Sequence, residues 1–99
     1  MIDGYLLNTR IFNNVSDSKG QALKPLEEAA EVFGAWQARY NMRFASRDAQ
    51  GAFRDDLIDE CMDTVQATAN LLAAIGATQG EVDAAIKRMD ERNGNRGRL

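Results

Sequence analysis

The sequence predicts an all-α protein, an antiparallel bundle of about four helices that is completed by oligomerisation. Apolar residues recur at spacings of three and four along most of the 99 residues, and this is the period of a helix with a buried face. Alanine is frequent, runs of β-branched residues are few, and proline occurs only once. A chain of this length makes one domain, residues 1–99.

Two helices are predicted in the first half of the chain. The first is a short helix over residues 5–15, followed by a polar loop over residues 16–20. The second is a strong helix over residues 22–40 with Pro25 in its first turn, where the missing N–H costs little. Residues 1–21 carry no motif that predicts a function.

A connection over residues 41–47 leads to the third predicted helix, with Ser46 or Asp48 as its N-cap. This helix reaches residue 75 and stops at Gly76, since glycine suits the position that follows a helix end. The last helix opens with a capping box from Thr78 to Glu81. It is expected to fray near residues 93–94, within a basic tail over residues 92–99.

The third helix carries a narrow polar stripe between two apolar faces. Its members are spaced by three or four residues: Asp56, Glu60, Asp63, Ala67 and Asn70. A helix with two apolar faces is buried on two sides, so the stripe is expected to lie between packed neighbours. Burying acids there is costly without compensation.

Two pairs of acids repeat the same spacing on consecutive helices. Glu28 and Glu31 are three residues apart, as are Glu60 and Asp63. The 28 residues between the pairs suffice to end one helix, turn and return antiparallel. The four carboxylates can therefore face each other across axes about 8–10 Å apart. Because such a cluster repels itself, it makes physical sense around a divalent cation, and oxygen ligands select magnesium or manganese over zinc.

The composition excludes several classes of protein. There is no histidine, which removes Ser-His-Asp and Cys-His catalysis. The lone Cys61 cannot form an internal disulfide, which fits a reducing cytoplasm. It is expected to be a small core residue. No signal peptide is visible, and the apolar stretch 71–75 is too short for a membrane span. The net charge of −3 and the pI near 4.8 argue against a general nucleic-acid binder.

Four segments resemble one family. Residues 24–31, KPLEEAAE, resemble the K-x-x-EE-x-x-E segment of the MazG-like all-α nucleoside triphosphate pyrophosphohydrolases, and residues 59–63 resemble their E-x-x-D segment. Residues 70–76 are similar to the asparagine-containing end of the same helix. Residues 92–98 are similar to the N-x-x-RG endings of small, phage-like members. The resemblance covers residues 22–98.

This resemblance implies magnesium-dependent cleavage of a nucleoside triphosphate, canonical or non-canonical, between its α- and β-phosphates. The products are a nucleoside monophosphate and pyrophosphate. At the matching positions it implies that four carboxylates are catalytic and hold Mg²⁺ or Mn²⁺: Glu28, Glu31, Glu60 and Asp63. It also favours a homodimer or homotetramer, as does the need of the third helix for cover on two faces.

Other polar residues near the acids are candidates for supporting roles. Glu27 and Asp59 each precede a predicted ligand, and either orient it and accept a proton from the attacking water or simply face solvent. Lys24 either pairs with a phosphate or neutralises the acids. Asn70 either binds the base or sugar or is a satisfied core amide.

The basic end of the chain is a candidate phosphate-binding segment. Lys87, Arg92 and Arg96 are expected to contact the phosphates, because the arginine fork can make two hydrogen bonds to phosphate oxygens. Asn93 would position them, at a site shared with another subunit. The alternative is a frayed, solvated tail.

Two other functions remain open. A phosphoribosyl-ATP pyrophosphohydrolase shares the EE-x-x-E and E-x-x-D pattern. A non-catalytic helical interaction module would use the acidic stripe for a protein partner. The aromatic residues Phe33, Trp36 and Tyr40 favour a core or a subunit interface over base stacking.

Overall fold

A computed structural model describes residues 2–99 and confirms the all-α class. Three helices are present in this part of the chain: α1 (Lys19–Asn41), α2 (Arg47–Ala74) and α3 (Gln79–Asn95). Residues 42–46 join α1 to α2, and this short connection folds the two packed helices into an antiparallel hairpin. None of the three helices combines the length and apolarity that a bilayer crossing requires.

The expected bundle of about four helices is not formed within one chain. Throughout residues 2–99, no Cα atom of α3 lies within 8 Å of one in α1 or α2. The protomer is therefore a helical hairpin with a third helix that stands apart. The predicted helix over residues 5–15 is also wrong, because residues 2–18, here named the N-terminal segment, contain no helix.

Side chains of α2 explain why the N-terminal segment is not helical. The Phe12 backbone N–H donates to Asn70 Oδ1 at 3.2 Å, and Gln66 Nε2 donates to the Arg10 carbonyl at 2.6 Å. These bonds replace those of a helix turn. The segment contains three asparagines, a residue type with low helix propensity, so the long-range bonds prevail.

α1 begins one turn earlier than the sequence predicts. The Ser18 side chain accepts a hydrogen bond from the Gln21 N–H at 3.3 Å and caps the helix. Pro25 is consequently the seventh residue of α1, and its predicted place in the first turn is wrong. A proline in the helix interior removes the N–H that would bond to the Gln21 carbonyl.

The predicted ends of α2 are confirmed. Ser46 is the N-cap, and its side chain accepts from the Ala49 N–H at 3.2 Å. Gly76 follows the helix with φ +76°, a left-handed conformation that glycine adopts without strain.

α3 begins as predicted but ends later. The Glu81 N–H donates to Thr78 Oγ1 at 3.1 Å, and the Thr78 N–H donates to Glu81 Oε1 at 3.0 Å, so the capping box is confirmed. The expected fraying near Asn93 is wrong, because the helix continues to Asn95. The turn after it is closed by Gly97 at φ +73°.

The most buried part of α2 is the C-terminal end of its polar stripe. Ala67 and Asn70, with 7% and 3% of their surfaces exposed, are the two buried residues of the described chain. The prediction that the stripe lies between packed neighbours is therefore confirmed only for Ala67 and Asn70, since Asp56 and Asp63 are exposed and Glu60 is half-buried. The apolar faces of the helices are not covered within the protomer. Large side chains at least a third exposed include Leu26, Phe33 and Trp36 on α1, Ile58 and Met62 on α2, and Ile86 and Met89 on α3.

Candidate functional site

The hairpin places the two pairs of acids opposite each other. α1 carries Glu28 and Glu31, and α2 carries Glu60 and Asp63; these four residues are named the acidic cluster. Carboxylate oxygens of Glu28, Glu60 and Asp63 all lie within 4.8 Å of one another. Glu31 reaches both Glu28 and Glu60, since it perturbs the pKa of each by a side-chain hydrogen bond and by its charge.

The cluster resists full ionisation. The hydrogen bond with Glu31 raises the pKa of Glu28 above its usual range, and partial burial and the charges of Glu31 and Asp63 raise it further. Partial burial is the largest cause that raises the pKa of Glu60, followed by the hydrogen bond with Glu31. Both effects penalise the charged carboxylate, so they favour the binding of a proton or of a cation at this site.

One oxygen of the cluster has no partner. Glu60 Oε2 is buried and makes no hydrogen bond with any of residues 2–99. Buried polar atoms are nearly always satisfied, so this oxygen is expected to pair with a water molecule, a proton or a bound cation. The donor set consists of carboxylate oxygens alone, which are the ligands of magnesium and manganese. The residues present therefore fit a divalent cation.

The nearest lysine is engaged elsewhere. Lys24 Nζ lies 3.1 Å from Glu27 Oε2, and the hydrogen bond with Glu27 is the largest cause that raises the pKa of Lys24. The charges of Glu28 and Glu31 have a smaller effect on the same group. The structure thus pairs two of the predicted supporting residues with each other. Asp59 is exposed and lies outside the cluster.

A cleft of about 480 Å³ opens beside the acidic cluster, within the range of small-molecule sites. The N-terminal segment, the start of α1 and the second half of α2 form its walls. Its lining residues are Phe12, Asn14, Gly20, Gln21, Lys24, Glu27, Glu28, Asp63, Gln66, Ala67 and Asn70. A ligand in the cleft would therefore touch two members of the cluster directly.

Asn70 has a structural role in this cleft. Its Oδ1 accepts hydrogen bonds from the Phe12 N–H at 3.2 Å and from Gln66 Nε2 at 3.0 Å. The side-chain oxygen is therefore used to hold the N-terminal segment. Only the amide NH₂ group can donate to a ligand. The core interpretation of Asn70 therefore applies to its amide oxygen, and the binding interpretation applies to its NH₂ group.

The predicted phosphate-binding residues are not brought to the cluster within one chain. Lys87, Arg92 and Asn93 lie on α3, and Arg96 is its C-cap. No Cα of α3 is within 8 Å of α1 or α2 in residues 2–99. Asn93 Oδ1 instead accepts a hydrogen bond from Arg98 Nη1 at 3.3 Å.

Five residues of the cleft were not predicted to belong to the site: Phe12, Asn14, Gly20, Gln21 and Gln66. Gln66 lies one turn before Asn70 on α2, so helical spacing could have found it. No local pattern identifies Phe12 and Asn14, since long-range hydrogen bonds to α2 hold the segment that carries them.

No family model, curated protein or solved structure matches the chain. The similarity to the MazG-like enzymes therefore rests on the motif residues alone.

Proposed function

We propose that the protein hydrolyses a nucleoside triphosphate between its α- and β-phosphates in a magnesium-dependent reaction. The observation that carries the proposal is the acidic cluster, in which two facing carboxylate pairs leave the buried Glu60 Oε2 without a partner beside an open cleft. The motif resemblance of residues 24–31 and 59–63 supports the same conclusion.

In this proposal Glu28, Glu31, Glu60 and Asp63 hold Mg²⁺ or Mn²⁺. A bound magnesium ion offsets phosphate charge and makes a water molecule more acidic. Hydrolysis joins the water oxygen to phosphorus and breaks the bond from that phosphorus to the α,β-bridging oxygen, which gives nucleoside monophosphate and pyrophosphate.

Two residues of the cleft would position the nucleotide. Lys24 lies at the rim, where its ammonium group can pair with a phosphate while Glu27 holds it in place. The NH₂ group of Asn70 can donate to an acceptor atom of the base or sugar. The N-terminal segment closes this side of the cleft through Phe12 and Asn14.

We further propose that a second copy of the chain covers the exposed apolar faces. The protomer exposes 8062 Å², whereas a compact monomer of its mass exposes about 5,600 Å². Its radius of gyration is 16.3 Å, against about 13 Å for a compact chain of this length. The excess area is larger than the roughly 800 Å² that each partner buries in a standard interface, as expected for an obligate homo-oligomer.

The assembly also gives α3 a role. Since α3 packs on neither helix of its own hairpin, it is free to pack against another copy. Lys87, Arg92 and Arg96 would then reach the phosphates at a neighbouring site, with Asn93 beside them. This arrangement supplies the cations that the acidic cluster lacks within one chain.

The test is pyrophosphate release from a panel of canonical and damaged nucleotides and phosphoribosyl-ATP, with magnesium and with EDTA. We expect release only with magnesium, and loss of turnover by at least a hundredfold in Glu60→Gln. Asp59→Asn makes the same charge change on the exposed side of α2 and is expected to retain activity. Turnover confined to phosphoribosyl-ATP would reassign the substrate, and no turnover on any compound would favour the interaction module.

A further inference from the structure

The hairpin has a second cleft at the end where α1 turns into α2. Its volume is about 460 Å³, and four arginines line it together with Tyr40, Gln50 and Gly51: Arg39, Arg43, Arg47 and Arg54. They come from the last turn of α1, the connection and the first two turns of α2. We name it the arginine cleft. Arg54 lies six residues before Glu60, about 9 Å along the helix axis, so the cleft is separate from the acidic cluster.

The arginines of the cleft have no carboxylate partner in the described chain. The one ion pair within residues 2–99 joins Lys24 to Glu27, so each of the four guanidinium groups lies more than 4.0 Å from any carboxylate oxygen. Like charges around one cleft repel each other. An anion from outside the chain would relieve that repulsion.

The central arginine is held in place before any ligand arrives. Arg43 Nη1 donates to the Tyr40 carbonyl at 2.9 Å, and its guanidinium carbon lies 4.2 Å from the centre of the Tyr40 ring and 4.8 Å from that of Phe44. Gln50 Nε2 donates to the carbonyls of Arg43 and Ala45 at 2.9 and 2.7 Å. The connection that carries Arg43 is thus fixed, which lowers the entropy cost of binding.

The start of α2 adds to the attraction for an anion. Arg47 is the first residue of this 28-residue helix, and the positive end of the helix dipole disfavours a cation there. The same position favours a bound anion, since helix N-termini attract phosphate groups. Gly51 leaves open space at the wall, because no atom outside its own stretch of helix lies within 4 Å of the site of its missing Cβ.

We propose that the arginine cleft binds a compact anion with two or more phosphate groups. Guanidinium groups match phosphate oxygens in a bidentate manner, and four of them exceed what a single phosphate needs. An extended nucleic acid is disfavoured by the net charge of −3 and by the acidic cluster farther along the hairpin. The inference is independent of the proposed hydrolysis, because none of the four arginines belongs to the acidic cluster.

Titration calorimetry with inorganic pyrophosphate in EDTA tests this proposal. We expect saturable binding to the native chain and to Glu60→Gln, and at least tenfold weaker binding when Arg47→Gln and Arg54→Gln are combined. The pair Lys19→Gln and Arg88→Gln makes the same charge change outside the cleft and is expected to alter the affinity less than twofold. Titration with ATP shows whether the phosphate tail of a nucleotide binds in the same way as free pyrophosphate.

Arg43→Lys provides a second variant that keeps the charge but loses the planar fork and the ring contacts, and we expect several-fold weaker binding. Circular dichroism verifies that each variant remains helical. Equal pyrophosphate affinity in the native chain and in both cleft variants would overturn the proposal. It would also be overturned if only single-stranded oligonucleotides bind, or if pyrophosphate does not bind and the arginine variants instead dissociate an oligomer.

Discussion

Glu60 combines two features that conflict in a protein without a bound cation. It is half-buried on α2, and its Oε2 has no hydrogen-bond partner in the described chain. Partial burial raises its pKa, and the acids around it raise the pKa further. Both features penalise the ionised Glu60 carboxylate, and such perturbed groups are frequent where a protein binds or reacts with a ligand.

The raised pKa values predict how the stability of the metal-free protein depends on pH. In the folded state Glu28 and Glu60 bind protons more tightly than at their ordinary pKa of 4.5. Their contribution to stability is therefore greatest below pH 4.5 and is lost as the pH rises through the raised values. We expect the melting temperature in EDTA, measured by calorimetry, to rise as the pH falls from 7 towards 5.

The Glu60→Gln variant is the control for this dependence. It removes one charge and turns the unpartnered oxygen into an amide, so its melting temperature at pH 7 should exceed that of the native chain by a few degrees and depend less on pH. Asp59→Asn should keep the native slope. If the native melting temperature falls on acidification as steeply as that of Glu60→Gln, the raised pKa values of the acidic cluster do not govern the pH dependence of stability, and the prediction is contradicted.

Two substitutions separate the roles of Asn70. Asn70→Ala removes the acceptor for Phe12 and Gln66, and loss of a buried hydrogen-bond partner costs about 1–3 kcal/mol. Asn70→Asp keeps the acceptor but loses the NH₂ donor. We expect hydrogen exchange at the Phe12 amide to accelerate only in the alanine variant, and the KM for nucleotide to rise in both. An unchanged KM in Asn70→Asp would restrict Asn70 to the structural role.

At the scale of elements, local chemistry made the helices of the second half of the chain predictable. The Ser46 cap, the Thr78–Glu81 capping box and the left-handed Gly76 depend on residues within four positions of each other. The buried end of the α2 stripe, Ala67 and Asn70, follows from helical spacing in the same way. Such features need no knowledge of the tertiary fold.

Features that depend on distant residues could not be predicted in this way. The N-terminal segment is non-helical because of bonds to Gln66 and Asn70, more than 50 residues away. The arginine cleft draws its side chains from two helices and the connection between them, so no single periodicity relates them. On each helix alone these arginines have the spacing of ordinary solvated charges.

The separate position of α3 leads to a kinetic prediction. If its arginines contact phosphates from a second copy, combining Arg92→Gln with Arg96→Gln should raise the KM for nucleotide at least tenfold, since the loss of even one charged hydrogen bond costs about 1.5–3 kcal/mol. Binding of divalent cation to the free protein should be unaffected. Arg88→Gln is the matched control on the same helix. Unchanged steady-state kinetics would leave phosphate recognition to Lys24 and the cation.

At the scale of the whole molecule, the exposed apolar faces predict a homo-oligomer. Phe33, Trp36 and Tyr40 form a stacked row along α1, with ring centres 6.2 and 5.2 Å apart, and each is at least 44% exposed. Exposed apolar patches of this kind are typical of surfaces that bind another protein chain. Sedimentation equilibrium at micromolar concentration should give a multiple of the 10.9 kDa chain mass.

Substitution within the row tests which surface is used. Phe33→Asp should shift the sedimenting mass towards that of one chain. Phe44→Asp places the same charge on an exposed aromatic residue in the connection and should leave the mass unchanged. A native mass of 10.9 kDa would refute the assembly and with it the proposed role of α3.

The central claim is that the two facing carboxylate pairs form a divalent-cation centre. The most direct measurement is a titration of the protein with Mn²⁺ followed by electron paramagnetic resonance, in which free and bound ions are counted separately. We predict saturable binding that magnesium competes for, that Asp59→Asn retains and that Glu60→Gln weakens by at least tenfold. Absence of saturable binding to the native chain, or equal binding to the native chain and to Glu60→Gln, would contradict the claim.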